Sequence, residues 1–130
     1  MKFSKEMLVI LPLSGLVITS AAVVSPDRHE FKNLRVLPKD INSKELSRIM
    51  VDEFEDGLGV SCNFCHAEQD GSRLDYSSDA KPEKQVARLM IRMTMNINRK
   101  FFKAKNATIG DSILVVKCVT CHNGQALPLN

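Results

Sequence analysis

The chain has 130 residues, 18 of them Lys or Arg and 15 Asp or Glu, for a formal net charge of +3. That length fits one domain, and no second composition regime divides it. With no Trp, one Tyr and six Phe, a core built on large aromatic side chains is excluded, and apolar bulk has to come from elsewhere.

The N-terminal stretch "MKFSKEMLVILPLSGLVITSAAVVSPDRHEF" opens with two lysines and continues as an apolar run from Met7 to Val24. Residues 1–22 read as an export signal with cleavage near Ala21 or Ala22. Retained, the run of about 18 residues, at the short end of what spans a bilayer, would be a membrane anchor. It contains no cysteine for an N-terminal lipid. Residues 23–130 are then an exported domain on the periplasmic side. His29, just past the run, reads as an exposed tail residue.

"INSKELSRIMVDEFEDGLG" predicts a helix with Asn42 as N-cap, Glu45 at the capping-box position and Gly57 or Gly59 at its end. Leu46, Ile49, Met50 and Phe54 share one face, which places Met50 inside. "GVSCNFCHAEQ" follows, then "DAKPEKQVARLMIRMTMNINRKFF", a longer predicted helix with Pro82 near its start. Val86, Leu89, Met90, Met93, Ile97 and Phe101 form its apolar stripe, with Met95 on the opposite side. "KCVTCHNG" near the C-terminus repeats the earlier pattern, and the two copies hold all four cysteines.

Two disulfides, or a zinc cage of two CxxC pairs, would use the four cysteines but leave His66 and His122 without a role. Covalent haem uses every residue. One turn sets the two sulfurs on one side for thioether bonds to the porphyrin edge, and the next histidine lies under the iron. Cys62, Cys65 and His66 thus bind one haem c, and Cys118, Cys121 and His122 a second. The remaining axial position of each iron goes to a methionine. Met50 precedes Cys62 by twelve residues, enough for the helix to finish and the chain to turn. Met90 and Met93 lie one turn apart, and periodicity does not separate them.

The runs "FKNLRVLPKDINSKEL", "LGVSCNFCH", "KPEKQVARLMIRMTMNIN" and "CVTCHNG", in this order over about residues 31 to 128, resemble the cytochrome c subunit family of photosynthetic reaction centres. The resemblance implies a mainly α, small multihaem cytochrome c in which a helix-turn-CxxCH unit is repeated twice around two haems. Each helix runs parallel to a haem plane and supplies a methionine. It also implies Met50 as the first distal ligand and Met90, rather than Met93, as the second. The four-haem subunit of purple bacteria contains two such two-haem units, and this chain resembles one. "KAKNATIGDSILVVK" is longer than the family pattern, which predicts a displaced second haem or a short strand at "SILVV".

Without residues 1–21 the chain loses Lys2, Lys5 and Glu6, leaving 16 basic and 14 acidic residues. Asp52, Glu53, Glu55, Asp56, Glu68 and Asp70 are uninterrupted by Lys or Arg, whereas Lys81 to Lys105 holds eight basic residues against Glu83. This asymmetry suits orientation of redox partners, other electron carriers or a membrane electron-transfer complex. Arg88 and Arg92 are alternatively placed to neutralise haem propionates. Phe101 and Phe102 are the only aromatic residues in the basic run and the domain reads as exported, so a nucleic-acid partner is not expected. The functional expectation is single-electron relay rather than enzymatic turnover. Its competitor is a small haem enzyme or sensor with one open axial position.

Overall fold

A computed structural model of the chain describes residues 31–128. The expected export segment and His29 lie outside the described residues. Among the described residues, no helix is long and apolar enough to cross a membrane.

Helix α1 (Ser43–Ile49) begins where the Asn42 side chain accepts a hydrogen bond from Glu45 N at 2.9 Å. The reciprocal half of the expected capping box is replaced. Glu45 turns to Arg48, with Oε1 and Nη2 2.6 Å apart, because the guanidinium one turn on is a stronger partner than a backbone amide. Without a break, α1 widens into a π-helical segment (Met50–Asp56). π-turns are rare and concentrate at functional sites. Here the widening starts at Met50.

Gly59, rather than Gly57, stops the helix. Its φ is +64°, whereas Gly57 keeps a right-handed φ of −67°. A Cβ on Gly59 would stand 2.2 Å from the Gly124 carbonyl oxygen, a backbone atom. Gly59→Ala therefore combines left-handed strain with a collision that only backbone movement relieves, and should lower the unfolding free energy by more than about 2 kcal/mol. A denaturant midpoint unchanged from wild type would contradict that contact.

A 3₁₀ turn (Cys62–Phe64) leads into an antiparallel hairpin, β1 (Ala67–Gln69) and β2 (Arg73–Asp75), with Glu68 opposite Leu74. Asp70 and Gly71 at its tip have φ of 52° and 81°. Asp-Gly is the dipeptide such a turn favours. Helix α2 (Pro82–Phe101) has Pro82 in its first turn, and α3 (Cys118–His122) closes the described fold.

The buried core consists of Ile49, Ile91, Met95, Ala107, Ile109 and Leu114, with Leu37, Ile41 and Phe54 among the residues packed against it. Among the described residues no aromatic side chain is fully buried, as the composition implied. "KAKNATIGDSILVVK" supplies Ala107, Ile109 and Leu114 to this core. It runs as turns, with no strand at "SILVV".

The reason is Asn98, which is 0% exposed. Its Oδ1 accepts from Val115 N at 3.0 Å and Val116 N at 3.1 Å, and its Nδ2 donates to Thr94 O at 3.0 Å and Val116 O at 2.7 Å. One side chain thus supplies the pairing that a neighbouring strand would otherwise provide.

The face of α2 turned to this core is Arg88, Ile91, Thr94, Met95 and Asn98. The expected apolar stripe lies elsewhere, with Val86, Leu89, Met90, Met93 and Phe101 exposed. Periodicity located the stripe but not what covers it. Arg88, Thr94 and Asn98 mask the true core face because buried polar side chains are stable wherever they are paired.

The mainly helical class agrees with the fold. Equivalence of the two helix-then-CxxCH successions does not extend into it: three residues separate Leu58 from Cys62, whereas residues 102–117 intervene between α2 and Cys118.

Candidate cofactor-attachment sites

The first CxxCH segment is wound by Phe64 N donating to Ser61 O and His66 N to Cys62 O, both at 3.0 Å. This single turn leaves Cys62 exposed and Cys65 and His66 half-buried. The hairpin then folds back so that Tyr76 meets the His66 ring edge to face, with centroids 4.9 Å apart. Lys84 of α2 fastens the returning loop by donating to Tyr76 O and Ser78 O, each at 2.7 Å.

Between these pieces lies a cavity of about 710 Å³, within the range of small-molecule and cofactor sites. Met50, Cys62, Cys65 and His66 all line it. Four residues singled out from the sequence therefore converge on one apolar space. Arg35, Lys84 and Arg88 line it as well. Arg88 is held at 2.9 Å from Asp79, which Arg35 also reaches at 3.0 Å and Asn33 Nδ2 at 2.8 Å.

Burial pushes the His66 imidazole pKa down and the Lys84 charge pushes it the same way, against a weaker opposing influence of the Tyr76 backbone. The ring is kept neutral, the form that coordinates metal. Its Nδ1 is buried without a hydrogen-bond partner. Burial, and then the charge of Glu83, raise the Cys65 thiol.

The second CxxCH segment is helix α3. Thr120 Oγ1 accepts from Lys117 N at 3.0 Å at its start, and Asn123 ends it in the left-handed region with φ of 48°. His122 Nδ1 lies 2.9 Å from Gln125 O. A carbonyl only accepts, so Nδ1 carries the proton and Nε2 keeps its lone pair. Cys118 is half-buried, its thiol pushed up to about 12 by burial and then by Glu53, while Cys121 is exposed. Met90 lies on the exposed face of α2, outside the first cavity, at 39% exposure against 47% for Met93.

The two cysteine pairs do not converge. Among the described residues no group of three or more His, Cys, Asp or Glu side chains is placed to hold a metal ion, which counts against the zinc cage. Sequence reasoning missed Tyr76, Lys84 and Glu53. The Asp-Gly turn signalled the hairpin that carries Tyr76 to His66. Helical spacing from Leu46, Ile49 and Met50 was the signal that could have separated Glu53 from the other acids of its run, and it is buried.

Two CxxCH turns, one of them sharing an apolar cavity with a methionine from the preceding helix, define a cytochrome c-like protein. The chain belongs to the photosynthetic reaction centre cytochrome c subunit family, whose model matches residues 16–130. It is 34% identical over 103 residues to the photosynthetic reaction center cytochrome c subunit of Roseobacter denitrificans, covering 75% of this chain and 25% of that one. Against the protein of the same name from Rubrivivax gelatinosus it is 30% identical over 98 residues, 69% of this chain and 26% of the relative. Cytochrome c-554 of Chloroflexus aurantiacus is 30% identical over 83 residues, 64% of this chain and 18% of its own. The chain thus spans about a quarter or less of the length of these relatives.

Proposed function

We propose that the chain is a two-haem c-type cytochrome that relays single electrons on the periplasmic side of the cytoplasmic membrane. The observation that carries this reading is the convergence of Met50, Cys62, Cys65 and His66 on one apolar cavity. The donor set fits haem c: two thiols for thioether bonds, a neutral imidazole, and a thioether sulfur on the helix before them. When bound, haem supplies a one-electron Fe(III)/Fe(II) couple.

The residues of the chain account for the rest. Cys62 and Cys65 hold the first haem, with His66 and Met50 as axial ligands. The Tyr76 ring and the hairpin limit rotation of His66. Arg35, Lys84 and Arg88 supply positive charge at the cavity wall for the propionates, a role the sequence offered to Arg88 and Arg92. Cys118 and Cys121 hold the second haem, with His122 as proximal ligand. Its Nδ1–H is directed at Gln125 O, which fixes the ring and leaves Nε2 as the donor. Met90 is the second distal ligand, with Met93 one turn on. The exposed stripe of Val86, Leu89, Met90 and Met93 is the apolar surface this haem covers. With both axial positions filled by side chains, the sites exchange electrons rather than bind substrate.

Partners are other redox proteins or a membrane electron-transfer complex. Glu55, Asp56, Glu68 and Asp70 are exposed on the segments flanking the first CxxCH in sequence, while Arg92, Arg99, Lys100, Lys103 and Lys105 are exposed along and after α2. That asymmetry orients the approach of charged partners and weakens with salt.

The intact denatured mass of the protein, expressed in a host that matures c-type cytochromes, tests this reading. The expected mass is that of the chain plus two haems, falling to one haem when Cys118 and Cys121 are both changed to Ala. Haem-free protein from a host that matures a control cytochrome would overturn it. Retention of the signal would add its mass and make the relay a tethered one.

A further inference from the structure

We propose that Glu53, carried by the helix of the first site, is a positioning residue of the second, so that the Met50–Gly57 segment is one strut shared by both centres. This rests on the two-haem reading above and goes beyond it in assigning the coupling between sites.

Glu53 is 4% exposed, one of the few charged side chains buried among the described residues. Its Oε2 accepts from Cys118 N at 3.3 Å, at the first residue of α3. An acceptor there satisfies a backbone N–H that has no partner within the helix. The same strut grips the other end of the motif, because Gly124 N donates to Gly57 O at 3.1 Å. Between these points the two backbones pack closely, and a Cβ added to Gly57 would stand 3.4 Å from Cys118 Cβ. Met50, three residues ahead of Glu53 in the π-helical segment, lines the cavity of the first site. One helix thus presents a thioether to one centre and a carboxyl to the other.

Two consequences separate this role from simple packing. A carboxylate beside the second attachment motif favours the more positive iron state, so removing its charge raises the potential of that centre. The first centre, whose cavity Glu53 does not line, moves less. Burial in a low-dielectric contact keeps the effect from being screened as a surface charge would be.

The test is a spectroelectrochemical titration of both centres in the mature wild-type protein, Glu53→Gln and Glu53→Asp, with haem content verified by mass. The centre whose potential Met50→His leaves in place identifies the second site. In Glu53→Gln that potential should rise while the first stays nearly fixed, and Glu53→Asp should shift it less. Loss of the second haem alone in Glu53→Gln also supports the role, since α3 would then be misplaced for attachment. Two haems with unchanged potentials, equal shifts of both, or loss of both haems would overturn it. A wild-type protein without two haems would instead reject the two-haem reading itself, so the two failures are distinguishable.

Discussion

Replacing Asn98 by Ala or Leu is expected to lower the unfolding free energy by roughly 3 kcal/mol or more, since each buried polar group left unpaired costs about 1–3 kcal/mol. Asn98 holds four hydrogen bonds, three of them to Val115 and Val116 on the turns that lead into Cys118. Leucine is nearly isosteric, so Asn98→Leu leaves little cavity and isolates the polar loss, whereas Asn98→Ala adds a void. Equilibrium denaturation should rank wild type above Asn98→Leu above Asn98→Ala. A loss of less than about 1 kcal/mol in Asn98→Leu would mean that water or neighbouring groups satisfy the freed backbone atoms. Because the affected turns end at the second attachment motif, attachment at Cys118 and Cys121 should become incomplete before attachment at Cys62 and Cys65.

Asn98 also marks where reading the sequence stops. The N-cap at Asn42, Pro82 in the first turn of α2 and the glycine stop of the first helix were legible, because each depends on the chemistry of one or two neighbouring residues. The CxxCH spacing was legible for the same reason: a five-residue pattern carries its own geometry. The face of α2 was not. Its apolar stripe is real but exposed, and the core takes the side bearing Arg88, Thr94 and Asn98. Periodicity records which residues avoid water, and says nothing of whether protein or a cofactor covers them. Arg88 and Asn98 are buried because Asp79 and the 115–116 backbone meet them. Those partners are 9 to 18 residues away, beyond the reach of a local pattern.

The π-helical segment was hidden for a related reason. No local signal in "MVDEFED" marks the wider turn, and the contacts the segment makes are distant in sequence: Glu53 reaches Cys118 N and Gly57 meets Gly124. One short segment thus carries Met50 on the wall of the first cavity and Glu53 against Cys118 N, so the two CxxCH turns are parts of one folding unit.

Met50→His is expected to lower the potential of one centre by a sizeable part of the roughly 0.8 V that axial ligation spans, and to leave the other nearly in place. The sulfur of methionine favours the reduced iron, whereas imidazole stabilises the oxidised state. The position is suited to the exchange: Met50 is half-buried at the junction of the α- and π-helical turns and shares its cavity with Cys62, Cys65 and His66. Met50→Leu removes the proposed ligand while keeping apolar volume, so reduced protein should then bind carbon monoxide rapidly, with a Soret shift that wild type lacks. An unchanged redox titration in Met50→His would remove Met50 from the coordination sphere and leave it as cavity packing. The same substitution at Met90 and at Met93 distinguishes the two candidates of the second site, which exposures of 39% and 47% do not separate. The one whose replacement moves the potential that Met50→His left in place is the ligand. Its neighbour, one turn along the same apolar stripe, should alter stability or haem retention without a comparable shift in potential.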